Sequence, residues 1–389
     1  MPNPSRPAHR SPLAPQPLRS TAPRAATRPA TLTRRKVLAG AGTVLAAPLL
    51  AGPRPVGARQ DASEVSGQLV KAIYFNPLVS TDNADFLRLL DLIERTELNA
   101  LVVDVKEDGG VYYPTEVPLF RDAGTFAPVL DVEGVVAALR QRGIRSIARL
   151  VTFKDSGLAW ARPDLAVIDD GTGDPWLDYG DGSWLNPFAP EVQTETIALA
   201  EELAGLGFDE IQFDYVRFPS DGDLERVDYG QAASDVLKIE TIASFLGDAQ
   251  QSLAARQVTT AADVFGFTLL QDDIGIGQNL RALAPVCDVL CPMTYPSHYP
   301  EGSIDVPGHP NDFPAETLAQ SLEAGRERVA DNLGLLRPWL QDFTLPGMSP
   351  YGAADVRAQI DATEAAGAGG WMIWDASNEY STEAFRLAE

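Results

Sequence analysis

Cysteine and histidine are scarce in this chain of 389 residues, which contains two cysteines and three histidines. The cysteines, Cys287 and Cys291, are too few for a disulfide framework. In an extended segment their Cα atoms would lie about 13 Å apart, which is too far for a bridge between them. We therefore expect two buried free thiols. A redox or metal-binding pair is the alternative, and the few histidines make a zinc site harder to build.

Acidic residues are missing from the first 60 positions, which contain ten arginines and lysines. The other 329 residues carry 21 basic and 54 acidic side chains, so their net charge is −33. A chain with this much negative charge repels nucleic acid and anionic lipid, and we expect neither as a partner. The hydrophobic content of 45% is too high for a disordered acidic chain. The length suits two domains or one barrel.

Long apolar runs are also missing, because the longest such stretch, Ala39–Gly52, has fourteen residues and contains glycine and proline. It is too short for a comfortable membrane span. The basic pair Arg34 and Arg35 precedes it and small residues follow it, an order typical of a twin-arginine export signal. We therefore predict a signal with a basic N-terminus over residues 1–58 and a mature chain over 59–389. The twin-arginine translocase would be the export partner and the location extracellular or in the cell envelope, with an uncleaved anchor as the alternative.

From Leu69 onward, eight short runs rich in valine, isoleucine and aromatic residues alternate with helical patterns. Most of these runs lack polar alternation, as is typical of parallel strands that are covered on both faces. The predicted strands are Val70–Asn76, Ala100–Lys106, Arg145–Phe153, Glu210–Phe218, Thr259–Gly266, Val289–Tyr295, Arg337–Phe343 and Gly370–Ala376.

Helical periodicity lies between the predicted strands. Gly143 stands where the end of a helix favours a left-handed residue. The apolar residues that follow the i, i+3, i+4, i+7 spacing of an amphipathic helix are Phe86, Leu89, Leu90 and Ile93, and then Val132, Val135, Val136 and Leu139. Further helices are predicted over Glu191–Leu206, Ala232–Ala255, Gly277–Leu283, Ala315–Asn332 and Ala353–Ala366.

Eight strands that alternate with helices predict an α/β fold, the (β/α)8 TIM barrel. A doubly wound open sheet is the runner-up, disfavoured because no glycine-rich phosphate turn follows the first strand. Since a barrel builds its active site from the loops after the strands, we expect the functional site there. The long polar, glycine- and aromatic-rich loops are 107–130, 154–189, 219–230 and 296–313.

Charged and polar side chains occur at the C-terminal ends of these apolar strands, where an unpaired buried charge would be expensive. Ion pairs explain single cases, such as Asp104 with Lys106 or Arg149, and Asp214 with Arg217. A pocket of carboxylates with aromatic walls is the functional interpretation. The candidate residues are Tyr74, Asp104, Lys106, Glu107, Asp214, Arg217, Asp263, Tyr295, His298, Gln341, Trp374 and Asp375.

Paired carboxylates are what cleavage of a glycosidic bond requires. One carboxylic acid protonates the leaving oxygen, and a second carboxylate attacks as a nucleophile or activates water. Aromatic rings stack on sugar faces, although a single aromatic residue is more often part of a core. The aromatic candidates are Trp184, Tyr295, Trp339, Trp371 and Trp374.

The segment Asp209–Pro219 resembles the fourth-strand signature of a family described as a putative glycosyl hydrolase domain of unknown function. Val103–Gly109, Cys291–Tyr299 and Gly370–Asn378 resemble its other blocks. The resemblance covers roughly residues 70–380. It implies a barrel glycosidase that acts on carbohydrate without a metal ion or an organic cofactor.

Kinship with amylase- and α-galactosidase-like barrels implies roles for individual residues. The fourth-strand carboxylate is the nucleophile in those barrels, and Asp214 matches its position, with Arg217 expected to hold it ionised. We choose Asp263, at the end of the fifth strand, as the general acid or base. Chitinase-like barrels place a glutamate two positions beyond the fourth-strand aspartate, where this chain has Val216, which argues against substrate-assisted chemistry. The reserve carboxylates are Asp375, Glu107 and Asp104.

The sequence thus predicts an exported hydrolase of a poly- or oligosaccharide, retaining or inverting, with Asp214 central. Two alternatives belong to other classes. One is a carbohydrate-binding barrel without catalysis. The other is a divalent-metal hydrolase that uses oxygen ligands from Asp104, Asp214, Asp263 and Asp375.

Overall fold

Eight parallel strands close into a barrel in the computed structural model, which describes residues 69–79 and 84–388. Each strand pairs with its neighbours in sequence order, and the first pairs with both the second and the eighth, which closes the ring. The predicted TIM barrel is confirmed, and the open sheet is excluded. The strands are β1 Val70–Phe75, β2 Ala100–Glu107, β3 Arg145–Val151, β4 Glu210–Asp214, β5 Thr259–Phe265, β6 Val289–Met293, β7 Trp339–Gln341 and β8 Gly370–Trp374.

The largest difference from the predicted strands is in β4, which ends at Asp214 rather than Phe218. Tyr215 has φ +48°, a left-handed conformation that a non-glycine residue rarely adopts. This conformation stops the strand and redirects the chain immediately after Asp214. The sequence around Tyr215 is rich in strand-forming residues, so local propensity did not predict the break.

Helices surround the barrel: α1 Ala84–Arg95, α2 Pro118–Ala123, α3 Val132–Gln141, α4 Ser156–Ala161, α5 Pro190–Leu206, α6 Asp235–Ala254, α7 Leu280–Leu283, α8 Pro314–Gly325 and α9 Ala353–Ala366. The prediction for α9 is confirmed at both ends. The predicted helix Ala315–Asn332 is too long, because α8 ends at Gly325 and 3₁₀ turns follow. The short 3₁₀ turns are Pro163–Leu165, Leu224–Arg226, Gly266–Leu269, Ala284–Val286, Pro296–His298, Pro310–Asp312, Arg326–Val329, Leu333–Leu335 and Thr382–Ala384.

The helix faces predicted from periodicity are buried against the outside of the barrel in both α1 and α3. The side chain of Asp131 caps α3 by accepting a hydrogen bond from the backbone N–H of Gly134 at 3.0 Å. Gly143, just beyond α3, has φ +67°, as predicted for a residue that follows the end of a helix. Burial of these apolar faces is the main way in which α1 and α3 stabilise the folded state.

A second, smaller core fills the barrel interior. Small side chains such as Ala72, Ala100 and Ala261 face the axis and leave room for larger polar groups. At the N-terminal end of the interior, the fully buried carboxylate of Glu210 forms ion pairs with Arg337 and Arg145. The interior therefore carries charge at both ends, and each charge requires a partner.

Both cysteines are buried free thiols, as predicted. Cys287 packs in the layer between strands and helices, and Cys291 lies in the barrel interior. Burial raises the pKa of each thiol, which disfavours the reactive thiolate.

The predicted export signal over residues 1–58 lies outside the described residues. Within residues 69–79 and 84–388, no helix combines the length and the apolar character that crossing a bilayer requires.

Candidate active site

The loops that follow β2, β3 and β4 are tied to one another at the C-terminal end of the barrel. Gly110–Val111 folds back as an antiparallel strand on β2. Ile168–Asp169, in the loop after β3, pairs with Val227–Asp228, in the loop after β4. Three of the four long segments predicted to carry function therefore contain strands held by backbone hydrogen bonds.

The guanidinium group of Arg149, on β3, lies among carboxylates from three strands. Its Nη1 is 2.6 Å from Oδ1 of Asp104 and also contacts Oε1 of Glu107, both on β2. Its Nε and Nη2 donate to Oδ2 of Asp214 on β4, at 3.0 and 2.5 Å. Its Nε is also 3.9 Å from Oδ2 of Asp263 on β5. The structure thus brings together four of the five carboxylates predicted for the site.

The ion pair predicted for Asp104 is confirmed in one of its two alternatives. Asp104 pairs with Arg149, one of its two predicted partners, and not with Lys106. The register of β2 shifts between Asp104 and Lys106, so the lysine leaves the face that carries the aspartate. Lys106 instead forms a fully buried ion pair with Asp155 at 2.8 Å, which joins β2 to the loop after β3.

The partner of Asp214 is Arg149 and not Arg217, contrary to the prediction. Because β4 ends at Asp214, the left-handed Tyr215 turns the following residues away from the strand direction. Nη1 of Arg217 donates to the carbonyl oxygen of Phe218 at 3.0 Å and to Oγ of Ser220 at 3.2 Å. Oδ1 of Asp214 accepts the backbone N–H of Tyr215 at 2.6 Å, so both of its oxygens are bonded.

The surroundings of the carboxylates shift their pKa values in opposite directions. Burial raises the pKa of Asp263 well above its usual range, and the negative charge of Asp214 raises it further. Burial likewise raises the pKa of Asp104 to about 7, against the opposing effect of Arg149. Burial alone would raise the pKa of Glu107 too, but the charge and hydrogen bond of Arg149 outweigh it and hold that pKa below its usual value. Carboxylates with raised and with lowered pKa values therefore lie around one cation.

The side chain of Asp263 is 1% exposed and only one of its oxygens is bonded. Oδ1 accepts hydrogen bonds from Nε2 of Gln212 at 2.5 Å and from Nε1 of Trp339 at 2.7 Å. Oδ2 is enclosed and has no hydrogen-bond partner. A buried polar atom without a partner is uncommon and calls for an explanation.

Aromatic rings form one wall beside these carboxylates. Trp374 stacks on Tyr74 with ring centroids 4.0 Å apart, and the guanidinium of Arg149 lies 5.0 Å from the ring of Trp374. The hydroxyl of Tyr74 donates to Asp104. Trp339 packs edge-on against Tyr74 and Trp374. The ring stack is therefore coupled directly to the charged cluster.

Tyr295 and His298 lie together in the loop after β6, with Phe343 against both rings. Burial raises the pKa of Tyr295 well above its usual value, and the negative charges of Asp263 and Asp214 raise it further. Burial lowers the pKa of His298, so its imidazole is neutral near pH 7. Oγ of Ser297 lies 3.0 Å from its Nδ1.

Gln341 and Asp375, both predicted for the site, have partners that belong to the loops. Gln341 accepts the backbone N–H of Ser297 at 3.0 Å and donates to the carbonyl oxygen of Phe343 at 2.9 Å. Oδ1 of Asp375 accepts the backbone N–H of Ser377 at 2.7 Å, in the turn after β8. These contacts hold the loops that surround the barrel mouth.

Two of the aromatic candidates are not part of the wall formed by Tyr74, Trp339 and Trp374. Trp371 stacks on Phe385 on the outer side of β8, and its Nε1 donates to Glu364. Trp184 is fully buried in the loop after β3, where its Nε1 donates to Asp178.

Gln212 and Trp339 bind Asp263, and sequence reasoning did not assign them that role. Each is a polar-tipped side chain in an apolar strand, in alternation with another candidate residue, and this pattern was the available signal. Arg149 was considered only as one possible partner of Asp104. Within the part of the chain that the structure describes, no group of three or more histidine, cysteine, aspartate or glutamate side chains is arranged to hold a metal ion.

Residues 72–380 match the model of a protein family described as "Putative glycosyl hydrolase domain". A search of curated proteins gives no match.

Three solved structures are similar to this chain. The PgaB (BpsB) glycoside hydrolase domain from Bordetella bronchiseptica is 16% identical, with a TM-score of 0.59 over 80% of this chain and 94% of that domain. A class V chitinase from Pseudomonas fluorescens is 10% identical, with a TM-score of 0.52 over 82% of this chain and 98% of that one. A hypothetical protein from Ruminiclostridium thermocellum is 34% identical over 49% of this chain and 97% of its own, with a TM-score of 0.44. At these identities, the first two similarities establish the shared barrel fold.

Proposed function

We propose that this chain, which belongs to the family of putative glycosyl hydrolase domains, cleaves glycosidic bonds in a poly- or oligosaccharide with Asp214 and Asp263. One observation carries the proposal. Asp214 accepts two hydrogen bonds from Arg149, whereas Asp263, next to the same guanidinium, is buried with a raised pKa and one unpartnered oxygen. Glycosidases need this pairing of an anionic carboxylate with a protonated one.

The different surroundings of Asp214 and Asp263 indicate their roles in catalysis. The guanidinium of Arg149 stabilises the negative charge on Asp214, which acts as the nucleophile in a retaining reaction or as the base for water in an inverting one. Asp263 is protonated and donates its proton to the leaving oxygen. The anomer released first, observed by NMR, determines which of the two reactions occurs.

Asp104 is the second candidate for the proton donor, because burial raises its pKa to about 7. Both of its oxygens are engaged, however, one by Arg149 and the other by the hydroxyl of Tyr74. Of these two carboxylates, Asp263 alone has an oxygen without a hydrogen-bond partner, which favours Asp263 as the proton donor.

We expect Asp263→Asn to lower kcat/KM on polysaccharide by about 10²- to 10⁴-fold, because the leaving oxygen loses its proton donor. The loss should be much smaller on an aryl glycoside whose leaving group needs no proton. Reducing-end release and aryl release by the wild type and the variant give the two ratios. An equal loss on both substrates would contradict the role of Asp263, and a leaving-group-dependent loss in Asp104→Asn would transfer that role to Asp104.

The same assay separates the alternative functions. Binding on a carbohydrate array without new reducing ends would identify a carbohydrate-binding barrel. Activity that a chelator removes and a divalent ion restores would identify a metal-dependent hydrolase. In the described residues, the space among Asp104, Asp214 and Asp263 contains the guanidinium of Arg149, and we expect chelators to leave hydrolysis unchanged.

We also propose that residues 1–58 direct export of the domain over 59–389 by the twin-arginine route. The paired arginines before a short apolar stretch support this, as does a core whose two cysteines are free, since twin-arginine substrates cross the membrane folded. We expect Arg34→Lys with Arg35→Lys to retain the precursor in the cytoplasm, as followed by cell fractionation. Arg24→Lys with Arg28→Lys is the matched control and should be exported, and equal export of both double variants would refute the route.

A further inference from the structure

Arg217 is a buried cation without a carboxylate partner. The residue is 5% exposed, and its guanidinium carbon lies 4.7, 5.1 and 4.6 Å from the rings of Trp184, Tyr215 and Phe265. Among the described residues, no carboxylate oxygen lies within ion-pairing distance of it. Aromatic faces offset part of the cost of burying a cation, but they leave its charge uncompensated.

The hydrogen-bonding capacity of Arg217 is also only partly used. Nη1 donates to the carbonyl oxygen of Phe218 and to Oγ of Ser220. Nε and Nη2 form no hydrogen bond with the described protein, and they are not among its enclosed polar atoms. These two nitrogens are the edge of the guanidinium that binds a carboxylate through two parallel bonds.

The nearby carboxylates that act on Arg217 electrostatically are committed to other partners. Asp214 is bound by Arg149. Asp178 forms an ion pair with Lys154 at 2.7 Å. Asp221 accepts from Oγ of Ser220 at 3.2 Å and from the backbone N–H of Tyr179 at 3.3 Å. Within residues 69–79 and 84–388, Arg217 thus has no carboxylate of its own to neutralise its charge.

Arg217 packs on residues that lie close in sequence to the proposed catalytic carboxylates. It packs on Tyr215, which follows Asp214 directly, and on Phe265, the last residue of the strand that carries Asp263. A ligand group bound to its free edge would therefore belong to a sugar near the scissile bond.

We infer that Arg217 binds a carboxylate of the substrate, so that the polysaccharide contains an acidic sugar next to the bond that is cleaved. This inference rests on the proposed function for its site. The net charge of −33 on residues 61–389 does not oppose it, because salt near 0.1 M screens exposed charges beyond about 10 Å. The planar carboxylate matches the guanidinium fork, whereas a neutral hydroxyl would leave the buried charge unpaired.

The test compares oligosaccharides that contain hexuronic acids with the same oligosaccharides after reduction of their carboxyl groups. The full chain should prefer the acidic form by about 10- to 100-fold in kcat/KM, the effect of one charge-assisted hydrogen-bonded pair. In Arg217→Met this preference should fall to about 1, and the change should reside mainly in KM. Arg217→Lys, which keeps the charge without the fork, should retain part of it.

Arg140→Met is the matched control, because Arg140 is an exposed arginine that donates to the carbonyl oxygen of Gly207 and lacks an ion pair among the described residues. Arg140→Met removes one positive charge from the same acidic domain. It should keep the wild-type preference for the acidic oligosaccharide. A wild type without preference for the acidic form, or an Arg217→Met variant that keeps it, would overturn the inference while the proposed function stands.

A calorimetric titration of the same oligosaccharides separates the two proposals if no reducing ends appear. Absence of hydrolysis counts against the proposed function. Tighter binding of the acidic form by the wild type, lost in Arg217→Met, would still support the inference, and equal or absent binding of both forms would refute it.

Discussion

Replacing Asp214 with asparagine is expected to lower the turnover of polysaccharide by at least about 10³-fold while the barrel remains folded. The carboxylate bonds Arg149 through Oδ2 and the backbone N–H of Tyr215 through Oδ1. An asparagine has one accepting oxygen, so it satisfies only one of these donors, and it has no negative charge to attack a sugar or activate water. The fold survives because Arg149 keeps its bonds to Asp104 and Glu107.

Asp342→Asn is the matched control for this variant. Asp342 follows β7, and both it and Asp214 are 6% exposed. Its carboxylate bonds Ser381 through the backbone N–H at 2.7 Å and through Oγ at 2.8 Å, with no cation involved. Reducing-end release and near-UV circular dichroism should show native folds for both variants and a large loss of activity only in Asp214→Asn. Hydrolysis above a tenth of the wild-type rate in Asp214→Asn would remove the assignment.

Replacing Arg149 with methionine is expected to lower the free energy of unfolding at neutral pH by about 3–5 kcal/mol, the cost of leaving buried charges unpaired. The guanidinium contacts Asp104, Glu107 and Asp214 together. Hydrolysis should be lost as well, because the same group stabilises the anionic Asp214. Chemical denaturation followed by fluorescence measures the stability change.

The loss of stability in Arg149→Met should depend on pH. Arg149 lowers the pKa of Glu107 and opposes the rise in that of Asp104. Without the guanidinium both folded-state pKa values rise, so the folded variant takes up protons more readily than the folded wild type as the pH falls. The stability deficit of Arg149→Met should therefore be largest near pH 8 and shrink toward pH 5. A deficit independent of pH would mean that Arg149 acts by packing alone.

Arg145→Met is the control for the loss of a charged pair in the barrel interior. Arg145 binds the buried Glu210, which retains Arg337 when Arg145 is removed. Since the carboxylate still has a cation, we expect a loss of about 1 kcal/mol with little dependence on pH between 5 and 8.

Local patterns predicted the elements well where one face of the chain meets a core. The helix Ala353–Ala366 was predicted at both ends, and the spacing of Val132, Val135, Val136 and Leu139 predicted the buried face of α3. The largest error was at Tyr215, whose left-handed backbone is held by the surrounding fold rather than by a local turn sequence.

The sequence predicted residues of the candidate site but not which of them form ion pairs with one another. Their position at the C-terminal ends of the predicted strands indicated that Asp104, Asp214 and Asp263 share one pocket, and the structure places all three around Arg149. The prediction that Arg217 holds Asp214 relied on closeness in sequence, and the break after β4 separates the two side chains. The alternative pairing of Lys106 with Asp104 failed because the register shift in β2 was not visible in the sequence.

The sequence by itself determined the order of strands and helices, the barrel and the identity of the acidic side chains at the strand ends, because hydrophobic periodicity acts over neighbouring residues. Only the tertiary structure decided which cation each acid meets, which carboxyl pKa values burial raises and which arginine has no carboxylate within ion-pairing distance among the described residues. These properties depend on distances of a few ångströms between strands that lie far apart in the chain, where burial strengthens every electrostatic interaction.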